Sequence, residues 1–293
     1  MGTTSAVAPA FHFASGRPVV SKLERYTRLS VDERTALARI SKNVRVVEAR
    51  RDLISEGDKP KFVHLVLEGW GNRYKALPDG KRQILSLFIP GDFCDLNVFI
   101  LKQIDHSVGA ITRLKVAVIT PEEMYALNLD HPGITQALWW HDLVAMAIQR
   151  EWTLNLGQRT AYERLGHLLM ELYLRLEAVG RASDGHCDFP LTQTDLADAT
   201  GLTPVHVNRT LQELRRDKLI ELERKQLRIL DFQRLMDSSM FNPNYLHLDH
   251  EGRHLDAIAD TSPNEFERGK PGMEARYDAE AAIERLRHRG GVS

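Results

Sequence analysis

Between residues 44 and 119 the apolar positions come in short runs: VRVVEA, RDLISEGD, KFVHLVLEG, WGNRYKALPDGK, RQILSLFIPGD and LKVAVIT. Turn residues separate them at roughly even spacing. Asp79-Gly80 is a strong hairpin signal, and Glu56-Gly57-Asp58, Glu68-Gly69 and Pro90-Gly91-Asp92 mark further turns. This pattern predicts short antiparallel strands closed into a barrel or jelly-roll-like sandwich. From Ile134 to Leu156 the period changes. Ile134, Leu138, His141, Ala145, Ile148 and Trp152 alternate by threes and fours, with Trp139, Leu143 and Met146 widening one flank. The spacing predicts a long helix with one face on the β-domain and the other available to an identical helix of a second subunit, the alternative being a helix packed only on its own domain. Asn155-Leu156-Gly157 reads as a hinge. A further helix is expected over Thr160–Val179, with Leu165, Leu168, Leu169, Leu172 and Leu176 inward.

The segment LTQTDLADATGLTPVHVNRTLQELRR, residues 191–216, has the grammar of two short helices joined by a tight turn. The first runs from about Gln193 to Ala199, and Gly201 supplies the turn because glycine accepts positive φ. Thr203 is a good N-cap, and Pro204 suits the first helical position. Val207, Leu211 and Leu214 make one buried stripe. Val205, His206, Asn208, Arg209 and Gln212 form the opposite face, the kind a recognition helix offers to the DNA major groove. A plain helical hairpin with a polar outer face is the competing reading. IELER and LRILD then predict a hairpin broken at Lys225-Gln226, placed as a wing that would lie on the phosphate backbone. From Thr203 to Leu230 seven Lys or Arg stand against four Asp or Glu, a local net of +3 in a chain whose formal charge is −1. Phosphate attraction gives affinity and base-edge contacts give sequence choice. Arg209 is the candidate for a bidentate contact to guanine, with an ion pair to Glu213 at i+4 as its structural alternative.

Composition narrows the class. The 293 residues have room for two modest domains. There is no apolar run of membrane-helix length and no signal-peptide core, so no membrane partner is expected. Cys94 and Cys187 are the only cysteines, too far apart for a metal-binding pair, which suits a reduced, cytoplasmic protein. Residues 1–20 are rich in small residues and proline and are expected to be disordered. Residues 21–42 read as helical with a break near Leu29. The charged tail from about His247 is expected to be largely disordered, with a short helix over Glu274–Arg287.

A β-roll with EGD, LEG, DGK and PGDF turns, a long helix and LTQTDLADATGLTPVHVNRTLQELRRDKLI at the C-terminal side resemble the Crp/Fnr family of bacterial transcription regulators. The resemblance covers Leu23 to Asp231. It implies an α+β chain: an N-terminal antiparallel β-roll (a jelly-roll-like double-stranded β-helix), a dimerisation helix and a winged helix-turn-helix. The corresponding domains are a disordered N-terminus (1–20), a sensor roll (21–130), the dimerisation helix and hinge (131–157), the DNA-binding domain (158–235) and a charged extension (236–293). The partners implied are a palindromic operator in double-stranded DNA, a second copy of the chain, and RNA polymerase. Arg209 matches the family's guanine-reading arginine, and Thr203 a hydroxyl residue that contacts phosphate. Thr192 and Gln193 lie where the first helix touches the backbone, and Lys225 lies in the wing. Val205 stands where the family usually has glutamate, and Pro204 where an arginine can stand. A different operator is therefore expected, with Val205 available to a thymine methyl.

Members that bind cyclic nucleotides use a cassette of PGDF, one residue, Gly-Glu, and later Arg-Ser. Here Gly91 is kept within PGDFCDLNVF, but Asp95 takes the glycine position and Leu96 that of the glutamate. His106 precedes Ser107 where arginine should stand. Leucine cannot accept from a ribose hydroxyl, and Asp95 adds negative charge beside a phosphate. Cyclic nucleotide is therefore not expected, and no cofactor or metal is assigned. The alternative keeps a roll that still binds a small effector. No cysteine group precedes Cys94, which argues against an iron–sulfur cluster. His64, His106 and Cys94 read as packing residues rather than haem ligands or a redox sensor. Nothing resembles paired catalytic groups, so no enzyme is expected.

Overall fold

In the computed structural model, residues 17–96 and 98–248 are described. The chain opens with α1 (Arg17–Leu23) and α2 (Val31–Ile40). Helix α2 starts on a reciprocal cap in which Ser30 accepts from the Glu33 amide and Glu33 accepts from the Ser30 amide. Seven strands follow: β1 (Val44–Val47), β2 (Asp52–Ile54), β3 (Val63–Glu68), β4 (Gly71–Ala76), β5 (Arg82–Phe88), β6 (Ser107–Ala110) and β7 (Leu114–Ile119). They pair antiparallel in two sheets, ordered β1-β7-β3 and β2-β6-β4-β5. Val66, Phe88, Val108, Leu114 and Val116 fill the space between the sheets. Strand β6 is absent from the apolar runs of the sequence because it is only SVGA. It is fully buried between β2 and β4, and pairing makes it a strand.

Helices α3 (Pro121–Asp130) and α4 (Pro132–Gln158) meet at His131, where Pro132 begins the new helix. Helix α5 (Ala161–Ala178) starts on a reciprocal Thr160–Glu163 cap. The C-terminal unit continues with β8 (Ala182–Ser183), β9 (His186–Asp188), α6 (Gln193–Thr200), α7 (Pro204–Arg216), β10 (Ile220–Glu223), β11 (Gln226–Ile229) and α8 (Phe232–Ser238). Its sheet is ordered β10-β11-β9-β8, so the wing hairpin is extended by a second, short hairpin.

Four expectations need correction. The expected disorder over 1–20 fails at its end, since α1 begins at Arg17. Val19 and Leu23 are buried, and the PGD turn approaches so closely that a Cβ on Gly91 would lie 2.8 Å from the Pro18 carbonyl oxygen. The hinge expected at Asn155–Gly157 is helical, and the chain leaves helix at Arg159 instead, where ψ turns to 145°. On α4 it is Val144, not Ala145, that faces inward. The disordered extension does not begin at 236: Met236, Phe241, Tyr245 and Leu246 are buried, and apolar packing orders the chain beyond α8. The helix expected over 274–287 lies outside the described residues.

The two halves share a core. One apolar cluster runs from Leu23 and Leu37 through Leu138 and Leu169 to Leu211 and Leu235.

Candidate nucleic-acid interface and its connection to the roll

The reading helix is built as its sequence requires. Thr192 caps α6 reciprocally with Asp195, and Gly201 ends it at φ 65°. Thr203 accepts from the His206 amide, and Pro204 occupies the first turn of α7. Val207, Leu211 and Leu214 are buried, joined by Thr210, so α7 is held against α5 and α6 by one face. The other face is left to solvent. Val205 is 80% exposed, and His206, Arg209 and Gln212 are exposed as well.

Arg209 adopts the structural alternative: its Nε donates to Glu213 Oε1 at 3.2 Å. The side chain is 79% exposed, and an ion pair in water contributes about 0–1 kcal/mol. Among the described residues its two terminal Nη atoms make no hydrogen bond, and these are the atoms a guanine edge would take. Asn208 is half-buried and donates to Gln193 Oε1 at 3.2 Å, linking the two helices. The Thr192 hydroxyl donates to Asp195 Oδ2 at 2.7 Å, so it is engaged within its own cap. At the wing tip both Arg224 and Lys225 have positive φ, 50° and 64°. That conformation is costly for residues with a Cβ, and it places two cations at the hairpin end. The break expected at Lys225-Gln226 falls one residue earlier, because Gln226 pairs with Glu223 and leaves Arg224 and Lys225 as the turn. The two-residue turn between β10 and β11 carries the signal for Arg224, legible once the register Glu223↔Gln226 is known.

A feature with no sequence signal is the docking of α6 on the roll. Arg50 grips Asp195 with both terminal nitrogens, at 2.6 and 2.9 Å. Arg82 pairs with Asp198 at 2.8 Å. Asp195 is fully buried, which works against its charge. Arg50 and the Thr192 hydroxyl outweigh burial and hold its carboxyl below the usual carboxylate range. Trp70 of the roll meets Phe189 edge-on at 6.0 Å. Deeper in, Asp92 of the PGD turn is buried between Lys22 of α1 and Arg175 of α5. Burial opposes its charge too, but the two cations bring its pKa down to about 2.

Between the roll and α4 lies a half-open cavity of about 460 Å³, whose apolar lining includes Phe88, Phe93, Val98 and Met146. Of the cassette positions Asp95 and Leu96 line it, beside Arg73 and Cys94. Arg73 donates to Asp95 at 2.7 Å and to the Cys94 carbonyl. His106 contacts Asp95 at 3.2 Å and Asp105 at 2.9 Å. Burial disfavours the charged imidazole, yet these two carboxylates raise its pKa. Leu96 is buried in the core, Gly91 makes the turn at φ 95°, and the Ser107 hydroxyl accepts from the Glu56 amide. His64 is buried and lowered to about 4, chiefly by desolvation. The Cys94 thiol is buried, and burial pushes its pKa up, away from the reactive thiolate. Among the described residues no cluster of His, Cys, Asp or Glu has metal-binding geometry, and no helix is long and apolar enough to cross a membrane.

Helix α4 carries an exposed apolar stripe. Trp139 is 69% exposed, Leu143 and Met146 follow at helical spacing, and Ile100 and Leu101 stand exposed at the rim of the roll cavity.

Comparison with known proteins agrees with this geometry. Residues 44–131 match the model of the cyclic nucleotide-binding domain, and residues 163–238 match that of the Crp-like helix-turn-helix domain. The chain is 32% identical to the transcriptional activator protein FnrL of Cereibacter sphaeroides, over 72% of this chain and 86% of that protein. It is 30% identical to the nitrogen fixation regulation protein FixK of Bradyrhizobium diazoefficiens, over 61% and 74% respectively. The fold is similar to that of FixK2 from Bradyrhizobium japonicum, with a TM-score of 0.60 at 24% identity, covering 67% of this chain and 96% of that one.

Proposed function

Given that this chain belongs to the Crp/Fnr family of DNA-binding transcription regulators, we propose that it acts as a homodimer on a two-fold symmetric operator. The carrying observation is α7: a helix fixed by one buried face, with the opposite face exposed and the Arg209 Nη atoms unbonded among the described residues. In this reading Arg209 takes a guanine edge, and Val205, His206, Asn208 and Gln212 contact neighbouring bases. Thr192, Gln193, Thr203 and Lys225, with Arg224 beside it, take phosphates. The α4 stripe pairs with its copy in the second protomer, which sets two reading helices about one duplex turn apart. Binding is the whole output, by contact with RNA polymerase or by exclusion of it.

Selection of bound duplexes from random DNA tests the reading. A two-fold symmetric motif is expected, and Arg209→Ala should weaken binding to it by about 1–3 kcal/mol, roughly five- to 150-fold. Asymmetric selected sites together with unchanged Arg209→Ala affinity would sink it.

For the roll, the reading is that no cyclic nucleotide is bound. Leu96 offers no acceptor to a ribose, and Arg73 is neutralised by Asp95 rather than left for a phosphate. Calorimetry with cyclic AMP and cyclic GMP should give no saturable heat, and a clear isotherm would reverse the assignment.

A further inference from the structure

The chain that follows α8 lies beyond the region that matches the Crp-like domain, which ends at residue 238. It nevertheless closes over the junction of α4 and α5. Ser239 packs so tightly on α5 that a Cβ on Gly166 would lie 3.0 Å from the serine Cβ. The Met240 carbonyl accepts from Arg159, the residue at which α4 ends. Phe241 meets the fully buried His167 edge-on at 4.8 Å, and Tyr245 stacks on the same ring at 5.7 Å. The Tyr245 hydroxyl donates to Glu171 Oε2 at 3.0 Å. Glu171 is fully buried on α5 and also accepts from Trp152 Nε1 of α4 at 2.9 Å. One carboxylate thus ties the long helix, the first helix of the reading domain and the C-terminal segment together. His247 adds an edge contact to Trp140 further along α4.

We infer that residues 239–247 are a strap that fixes the angle between α4 and α5 and thereby sets the half-site spacing the protein accepts. The inference rests on the homodimer reading above. Helix α7 packs on α5, and α4 carries the apolar stripe, so the α4–α5 angle is the lever between the two reading helices. The link between the helices is only Arg159 and Thr160; Asn155 with His167 at 3.1 Å and Arg164 on the Leu156 and Arg159 carbonyls bridge it directly, and residues 239–247 close over this joint. Together these contacts over-determine the angle. An error of two base pairs displaces a half-site by about 7 Å along the duplex, beyond what packed side chains absorb.

The test uses the full chain and a double variant, Phe241→Ala with Tyr245→Ala. Each is titrated on duplexes that carry the selected half-sites at the preferred spacing and at spacings changed by one and two base pairs. The full chain should lose about 100-fold in affinity for a two-base-pair error, and the variant less than about 10-fold. Hydrogen exchange of the amides of residues 155–160 should speed up by at least about tenfold in the variant, while α7 keeps its protection. Equal spacing discrimination in both proteins, or unchanged exchange at 155–160, overturns the strap. A full chain indifferent to spacing overturns the homodimer reading, and the inference with it. Tyr245→Ala alone, a milder lesion with the same expected direction, carries the test if the double variant does not fold.

Discussion

The outer face of α7 and the cassette side of the roll are both surfaces where this architecture can meet something else, and they are finished differently. On α7 Val205, His206, Arg209 and Gln212 face solvent, and the Arg209–Glu213 ion pair is exposed and weak. In the roll the charged groups have found each other: Arg73 with Asp95, and His106 with Asp95 and Asp105. A surface that waits for a partner leaves its donors unsatisfied or cheaply satisfied, because an established internal bond must be broken before a new one forms. By that criterion the reading helix is open to an incoming duplex. Asp95 and His106 belong instead to an ion network within the roll.

The largest effect is expected at the α4 stripe, which the proposed dimer needs. Leu143→Glu places a charge in the centre of the expected subunit contact. The variant should sediment as a monomer and lose at least about a hundredfold in operator affinity, since two half-sites would no longer be bound as one unit. A dimer that persists would move the contact elsewhere.

The next effect separates reading from holding. Arg50→Ala removes the principal partner of buried Asp195, leaving Thr192 and a more distant Arg82. Stability to urea should fall by about 1–2 kcal/mol, between the ranges for exposed and for buried pairs because Arg50 is half exposed. Arg209→Ala should leave stability within about 0.5 kcal/mol while it weakens DNA binding. If the two variants exchange these phenotypes, the contrast between the surfaces is wrong.

The smallest effect concerns pH. His106 is raised above its ordinary value of 6.5 in the folded chain. Its contribution to stability is therefore full below about pH 6.5 and is lost as pH rises through the raised folded value. NMR titration of the His106 ring should give a midpoint above 6.5. A midpoint below that would mean that Asp95 and Asp105 do not hold the imidazolium.

Much of this was legible in the chain before it was folded. The helix-turn-helix follows from local rules that act within four residues: Thr203 as a cap, Gly201 at positive φ, and Val207, Leu211 and Leu214 on one face. The turns of the roll are equally local. Strand β6 was not legible, because SVGA has no pattern of its own and becomes a strand only between β2 and β4. The end of α4 is not legible at Gly157 either. Gly157 looks like a breaker, but nothing lies near its Cβ position and the helix runs past it.

What the sequence determined by itself is the set of elements and the chemistry they display: a roll, a long helix, a winged reader with Arg209 outward, and a PGD turn followed by Asp95 and Leu96. Tertiary structure alone decided how these parts are joined. Arg50 and Asp195 stand 145 residues apart, and Tyr245 and Glu171 74 apart. Hydrophobic periodicity reports which side of an element faces inward, not which element it will meet. Pairings across such distances arise only when burial brings both partners into a space where an unpaired charge would be costly.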